Sequence, residues 1–168
     1  MVLVAWQSHA QERKFPVVKD YGGVFAVDDP APVPDASMEY KVVMEISMAS
    51  EKADEPNFGL NSIARLVNLH ALAGIPADRL KVAVAIHGEA AYCLTDNSAY
   101  RARYNTDNPN IGLLSELRKR GVELYVCGQS LIARKFDRKT LVPEVRVALS
   151  ALTTLTTYQM KGYSFLKY

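Results

Sequence analysis

Residues 81–87 read KVAVAIH, a nearly continuous apolar run that decides the fold class. A strand covered on both faces shows no polar alternation, so this run is typical of the interior of a parallel sheet. Two further β-rich segments lie on either side of it along the chain, YKVVMEIS at 40–47 and VELYVC at 122–127. Helical patterns separate the three segments, and strands alternating with helices predict βαβ units with right-handed crossovers.

The helices are predicted from apolar residues at helical spacing and from the residues that end them. The clearest is 58–73, because Gly74 and Pro76 follow it as a C′ glycine and a proline should. Four shorter helices are predicted at 99–104, 109–120, 128–135 and 153–161. Two more strands are predicted at 145–149 and 163–166, although 144–152 would also serve as a helix. The prediction is a three-layer α/β sandwich over residues 40–168, with a doubly wound, mostly parallel sheet of about five strands.

Composition and charge exclude several classes of protein. The chain has 168 residues, of which 49% are hydrophobic and 23% charged, which is typical of one globular domain. A formal net charge of only +2 argues against a dedicated nucleic-acid binder, so no nucleic-acid partner is expected. No apolar run approaches the roughly 20 residues of a spanning helix, so no membrane span is expected.

Residues 1–39 are predicted to be an N-terminal arm. An apolar stretch followed by Ser8-His9-Ala10 resembles the end of a secretory signal, which favours a periplasmic or exported protein. The alternative is a frayed apolar terminus on a cytoplasmic protein. Half of the eight prolines lie in this arm, so its later part should be extended. It either wraps over the core or a neighbouring subunit, or forms a disordered linker.

Several catalytic motifs are absent from the sequence. It has no Gly-x-x-x-x-Gly-Lys-Ser/Thr loop, no Gly-x-Gly-x-x-Gly after a strand and no Gly-x-Ser-x-Gly elbow. Three histidines without a Cys-x-x-Cys motif argue against a metal site, so neither a metal nor a cofactor is expected.

Cys127 is the candidate reactive residue. It lies where one predicted strand ends and a helix begins, and ligands gather at this edge of open parallel sheets. Free N–H groups at a helix start stabilise a thiolate, and Gly128 would let a ligand approach the backbone closely. The basic residues downstream would add positive potential if they fold back; they are Arg134, Lys135, Arg138 and Lys139. The alternative is a buried cysteine that acts as a small hydrophobic residue.

His87 ends a strand in the same way, so we expect it to share a crevice with Cys127 if the two strands are neighbours. It could then tune or deprotonate the thiol, and Glu89 is a candidate to orient it. The alternative is a histidine satisfied by loop backbone. Cys93 lies in a polar segment and is expected to be an exposed cysteine rather than a resolving thiol. The residues predicted to bind substrate in the crevice are Gly128, Gln129, Ser130, Gly88, Glu89 and Asn61, although Asn61 also suits a helix-capping role.

Residues 127–134, CGQSLIAR, resemble the Cys-x-x-(Ala/Ser)-(Ala/Leu)-x-x-Arg segment of the DsrE/DsrF-like family. The segments at 68–76, 80–91 and 148–163 agree, and the resemblance covers about residues 40–168. It implies a doubly wound sheet and assembly into trimers or hexamers. Relatives in sulfur oxidation and in transfer-RNA thiolation carry a persulfide on the matching cysteine, which is Cys127 here.

Two hypotheses follow from the residues and the resemblance. In the first, the protein is a sulfur carrier or sulfurtransferase that takes sulfane sulfur from a donor protein onto Cys127 and passes it to an acceptor. In the second, it is a non-catalytic oligomeric binding module whose crevice holds a small ligand or a partner protein. The first predicts a reactive thiolate, and the second predicts an ordinary thiol.

Overall fold

The computed structural model describes residues 11–167. Within them the regular elements are β1 (Tyr40–Ile46), α1 (Phe58–Leu72), β2 (Leu80–Ile86), α2 (Asn97–Tyr104), α3 (Ile111–Lys119), β3 (Glu123–Cys127), α4 (Gly128–Ala133), β4 (Val145–Ala148), α5 (Ala151–Met160) and β5 (Ser164–Lys167). None of the helices in this part of the chain combines the length and hydropathy needed to cross a membrane.

The five strands form one sheet in the order β4-β3-β2-β1-β5, and every adjacent pair is parallel. The chain builds outward from β1 to β4 and then returns to place β5 on the other side of β1. The predicted α/β class is therefore confirmed, and the sheet is wholly rather than mostly parallel. The segment at 145–149 is a strand and not a helix, because Val145–Ala148 pairs along β3.

Helices cover both faces of the sheet. On one face α1 and α3 pack over a core that includes Met44, Val84 and Leu124. On the other face α5 packs over Val43 and Ala83 through Tyr158. Because side chains alternate along a strand, these faces divide the strand residues into two sets. The result is the three-layer arrangement predicted from the sequence.

Residues 17–24 of the arm pack against this protein's own core. Val18 is fully buried and Val24 is only 3% exposed. Asn68 of α1 holds the arm, because its carbonyl accepts hydrogen bonds from the N–H groups of Val17 and Val18 at 3.0 and 2.8 Å. Its amide group donates back to three arm carbonyls, those of Val18, Tyr21 and Gly22. Of the two interpretations of the arm, wrapping over the core describes these residues; the secretory-signal prediction falls on residues 1–10, outside the described part.

The segment after β2 differs from the prediction. Gly88–Leu94 forms a 3₁₀ helix that places Ala90, Ala91 and Leu94 in the core. Cys93 is carried inward with them, is 2% exposed and lies 3.7 Å from the Ser50 hydroxyl. The prediction of an exposed Cys93 is therefore wrong, because the apolar residues of this segment, not its polar flanks, determine its burial.

Candidate functional site

Cys127 is the last residue of β3 and lies on the face covered by α5. It is 6% exposed and packs against Ala85 of β2 and Ala151 of α5. The backbone N–H groups of Gln129, Ser130 and Ala151 and the Ser130 hydroxyl surround its sulfur and favour its thiolate form. The first N–H groups of a helix have no partner within the helix, and here α4 and α5 both direct such groups at one sulfur.

These contacts set the protonation of Cys127. Burial raises the pKa of its thiol, but the hydrogen bonds from Ser130, Ala151 and Gln129 favour the thiolate and prevail, so that the pKa lies below its ordinary value. Cys93 shows the opposite result, because burial raises the pKa of its thiol more than the hydrogen bonds from Ser50 and Asn57 lower it. Of the two cysteines, Cys127 is thus the one poised to react as a thiolate.

Ser130 connects the end of β2 to the sulfur. The backbone N–H of Gly88 donates to the Ser130 oxygen at 3.2 Å. A hydroxyl has a single proton, and with its oxygen already accepting from Gly88 that proton is directed to Cys127. The predicted site residue Ser130 is therefore a hydrogen-bond donor to the thiolate.

His87 lies beside Cys127 in the sheet. The last paired residues of β2 and β3 are Ile86 and Val126, and His87 and Cys127 each follow directly. Neighbouring strands are about 4.8 Å apart, and the alternation of side chains puts both residues on the same face. The prediction that these two strands are adjacent is therefore confirmed.

The partner of His87 is Glu45, which the sequence analysis did not identify. His87 Nε2 lies 2.7 Å from Glu45 Oε1, and both side chains are partly buried. The other carboxylate oxygen of Glu45 lies 4.0 Å from Lys167 Nζ on β5. The available signal was a charged residue directly after the apolar run at 42–44, but its contact with His87 depends on a strand register that the sequence does not show.

Glu89, the predicted partner of His87, instead pairs with two arginines. Its carboxylate lies 3.2 Å from Arg134 Nε and 3.1 Å from the guanidinium of Arg103. Since Arg134 follows α4, this ion pair ties the 3₁₀ helix at Gly88–Leu94 to α4, the helix that begins directly after Cys127. The carboxylate that contacts His87 is therefore that of Glu45 and not that of Glu89.

Backbone contacts explain the two glycines of the predicted site. A Cβ at Gly128 would lie 2.7 Å from the Ala148 carbonyl oxygen, so the close approach there is made by β4 and not by a ligand. Gly88 has a φ of +59°, and a Cβ would lie 2.8 Å from the Ser47 carbonyl oxygen. Gln129 is nearer the surface and donates to the Leu149 carbonyl at 3.4 Å.

Asn61 lies under the arm. Its carbonyl accepts from the Gly22 N–H at 2.7 Å, and α1 covers the sheet face opposite to Cys127. The cap of α1 is Asn57, whose side chain accepts from the Leu60 N–H at 3.2 Å. The structure therefore brings Asn61 to the arm and not to the Cys127 cluster.

An open cavity of about 330 Å³ lies between α4 and the end of β4, and Cys127 is not among the residues that line it. Gly128, Gln129 and Leu149 line it. Lys135 and Arg138, two of the basic residues considered above, line it as well. Across residues 11–167, no three His, Cys, Asp or Glu side chains are grouped so that they could hold a metal ion.

The fold and this site together define a parallel α/β protein with a cysteine at the carboxyl edge of its sheet, whose thiol pKa lies below its ordinary value. The chain belongs to the DsrE/DsrF-like family, whose model matches residues 39–168, so the resemblance in the sequence is confirmed. No curated protein matches the chain.

Two solved structures are similar to this one. The protein of unknown function MTH1491 from Methanobacterium thermoautotrophicum is 20% identical, with a TM-score of 0.55 over 77% of this chain and 100% of that chain. The YchN protein from E. coli is 13% identical, with a TM-score of 0.49 over 77% of this chain and 99% of that one. At 20% identity, the likeness to the first shows the fold alone.

Proposed function

We propose that this protein is a sulfur carrier with sulfurtransferase-like chemistry, which holds sulfane sulfur as a persulfide on Cys127. The observation that carries the proposal is the group of four hydrogen-bond donors around the Cys127 sulfur, supplied by Gln129, Ser130 and Ala151. Membership of the DsrE/DsrF-like family supports it, since sulfur relay is found in that family.

Loading requires only the thiolate. The Cys127 thiolate attacks the terminal sulfur of a donor persulfide, R–S–SH, and forms Cys127–S–SH. The S–S bond of the donor breaks, and the electron pair leaves with R–S⁻, so no external oxidant or reductant is needed. The lowered pKa of Cys127 increases the fraction of attacking thiolate at a given pH.

Transfer reverses this chemistry with a second thiol. The acceptor R′–SH gives its proton to His87, and R′–S⁻ attacks the outer sulfur of Cys127–S–SH to form R′–S–SH. Cys127 leaves as a thiolate that is stabilised by the same donors that held it before loading. His87 then releases its proton to water.

The second candidate function is the oligomeric binding module without sulfur chemistry. The observation that favours it is the exposure of Ile132 and Leu149, which are 75% and 73% exposed and line the cavity beside α4. Such apolar surface suits a partner protein or another subunit, and a trimer or hexamer is the assembly we propose.

Intact mass after brief exposure to polysulfide tests the proposal. We expect wild type and Cys93→Ser to gain one sulfur atom and Cys127→Ser to gain none. Equal gain in Cys127→Ser, or no gain in any form, would rule out a selective persulfide on Cys127 and favour the binding module. The Cys93→Ser variant is the matched control because Cys93 is the other thiol and is buried.

A further inference from the structure

Glu45 is the charged partner of His87, the residue proposed to take the proton of the acceptor thiol during sulfur transfer. We propose that Glu45 is a positioning residue, which holds His87 as the tautomer with a proton on Nε2 and leaves Nδ1 free to accept the acceptor's proton. The inference rests on the proposed function for its purpose, but its structural content can be tested apart from any sulfur chemistry.

The strand register brings Glu45, His87 and Cys127 to one face of the sheet. Glu45 pairs with Ala85 across β1 and β2, and His87 lies two residues further along β2. Cys127 packs against the same Ala85 from the β3 side. The small side chain of Ala85 therefore lies between the carboxylate and the sulfur, with His87 next to both.

The hydrogen bond fixes the tautomer. A carboxylate oxygen accepts and has no proton to donate when ionised, so the 2.7 Å contact requires that His87 Nε2 carry the hydrogen. Lys167 Nζ stands 4.0 Å from the second oxygen of Glu45, which leaves the first oxygen to His87. A neutral imidazole protonated on Nε2 has its lone pair on Nδ1, where a thiol can deliver its proton.

The position of the pair suits an acceptor that arrives from solvent. The side chains of His87 and Glu45 are 28% and 21% exposed, so the ring is reachable although it is held. When Nδ1 takes the proton, the ring becomes a cation that faces the Glu45 carboxylate. Glu45 thus keeps the base oriented during transfer.

Histidine side-chain ¹⁵N spectra of the full chain test the tautomer directly. His70 is an internal reference of the opposite kind, because its Nδ1 lies 2.9 Å from the Leu66 carbonyl and must donate to it. We expect the His87 signals, assigned with His87→Gln, to show a protonated Nε2 and those of His70 a protonated Nδ1. A protonated Nδ1 on neutral His87 would overturn the inference.

Variants distinguish the effect of Glu45 on the His87 tautomer from that of Glu89, the carboxylate two residues after His87 in the sequence. Glu45→Leu should mix the two His87 tautomers, whereas Glu45→Gln, whose amide oxygen can still accept, should preserve more of the Nε2–H form. Glu89→Gln should leave the His87 spectrum unchanged, because Glu89 bonds to Arg103 and Arg134. A wild-type spectrum in Glu45→Leu, or a changed one in Glu89→Gln alone, would contradict the assignment.

Sulfur transfer tests the purpose of the pair. With protein already loaded on Cys127 and N-acetylcysteine as the acceptor, we expect Glu45→Leu to lower the maximal transfer rate about tenfold. The concentration of N-acetylcysteine at half-maximal rate and the sulfur loading of Cys127 should stay unchanged, and Glu45→Gln should restore part of the rate. An unchanged rate would remove the role in transfer. A wild type that takes up no sulfur would instead sink the proposed function and leave the tautomer result standing.

Discussion

Removing the Ser130 hydroxyl should raise the pKa of Cys127. In Ser130→Ala the thiolate loses one of the four hydrogen-bond donors around it, the only one from a side chain. A hydrogen bond to a charged group contributes about 1.5–3 kcal/mol, and about 1.4 kcal/mol corresponds to one pKa unit. Because sulfur is a weak acceptor, we take the lower end, which predicts an upward shift of about one unit.

The assay is the rate of iodoacetamide alkylation against pH, in a Cys93→Ser background so that one thiol reports. Ser62→Ala is a matched control, because Ser62 is also a buried serine and its hydroxyl has no hydrogen-bond partner among the described residues. The control should leave the pH midpoint where it is in the parent. A Ser130→Ala midpoint equal to that of the parent would refute the argument that this hydroxyl stabilises the thiolate.

Three further variants test other parts of the structure. Asn68→Ala removes the buried amide that holds the arm, so we expect a loss of about 2–4 kcal/mol in urea unfolding and faster proteolysis of the arm; wild-type behaviour in both would contradict the clamp. Gly128→Ala forces a Cβ to 2.7 Å from the Ala148 carbonyl oxygen, and we expect a melting point several degrees lower with slower sulfur loading, whereas an unaltered melting point would mean that β4 yields easily. Burial raises the pKa of Glu123, but hydrogen bonds from Tyr125, Arg146 and Tyr158 favour its carboxylate, and its pKa is lowered. Its contribution to the stability of the folded protein is therefore present above the pKa of the unfolded state and is lost as pH falls through the lower pKa of the folded state. Glu123→Gln should therefore lower stability by about 1 kcal/mol at pH 7 and make little difference at pH 2–3, and an equal loss at both pH values would contradict this explanation.

The architecture could be predicted because its signals are local. The nearly continuous apolar run of β2, and the glycine and proline after α1, each specify their element without reference to the rest of the chain. The candidate thiol could be found for the same reason, since Cys127 stands directly between a strand and a helix.

The contacts of the site could not be predicted in the same way. Glu45 and His87 are brought together by the register of β1 on β2, and Ala151 reaches Cys127 only because α5 crosses the same sheet face. Asn61 lies at the start of a helix whose position in the layers decides which side it faces, and it meets the arm. These contacts depend on strand register and on the placement of helices on the sheet, and the spacing of residues along the sequence carries no information on either.

The most direct test of the account is the rate at which Cys127 gains one sulfur atom from polysulfide, followed by intact mass across pH 5 to 10 in Cys93→Ser. An ordinary thiol would show a midpoint near its usual pKa of about 8.5. We predict a midpoint below that value, because hydrogen bonds favour the Cys127 thiolate, and a rate that stays level above it. A rate that still rises through pH 9, or a gain that persists in the Cys127→Ser variant, would contradict the claim that this thiolate is the site where sulfur is carried.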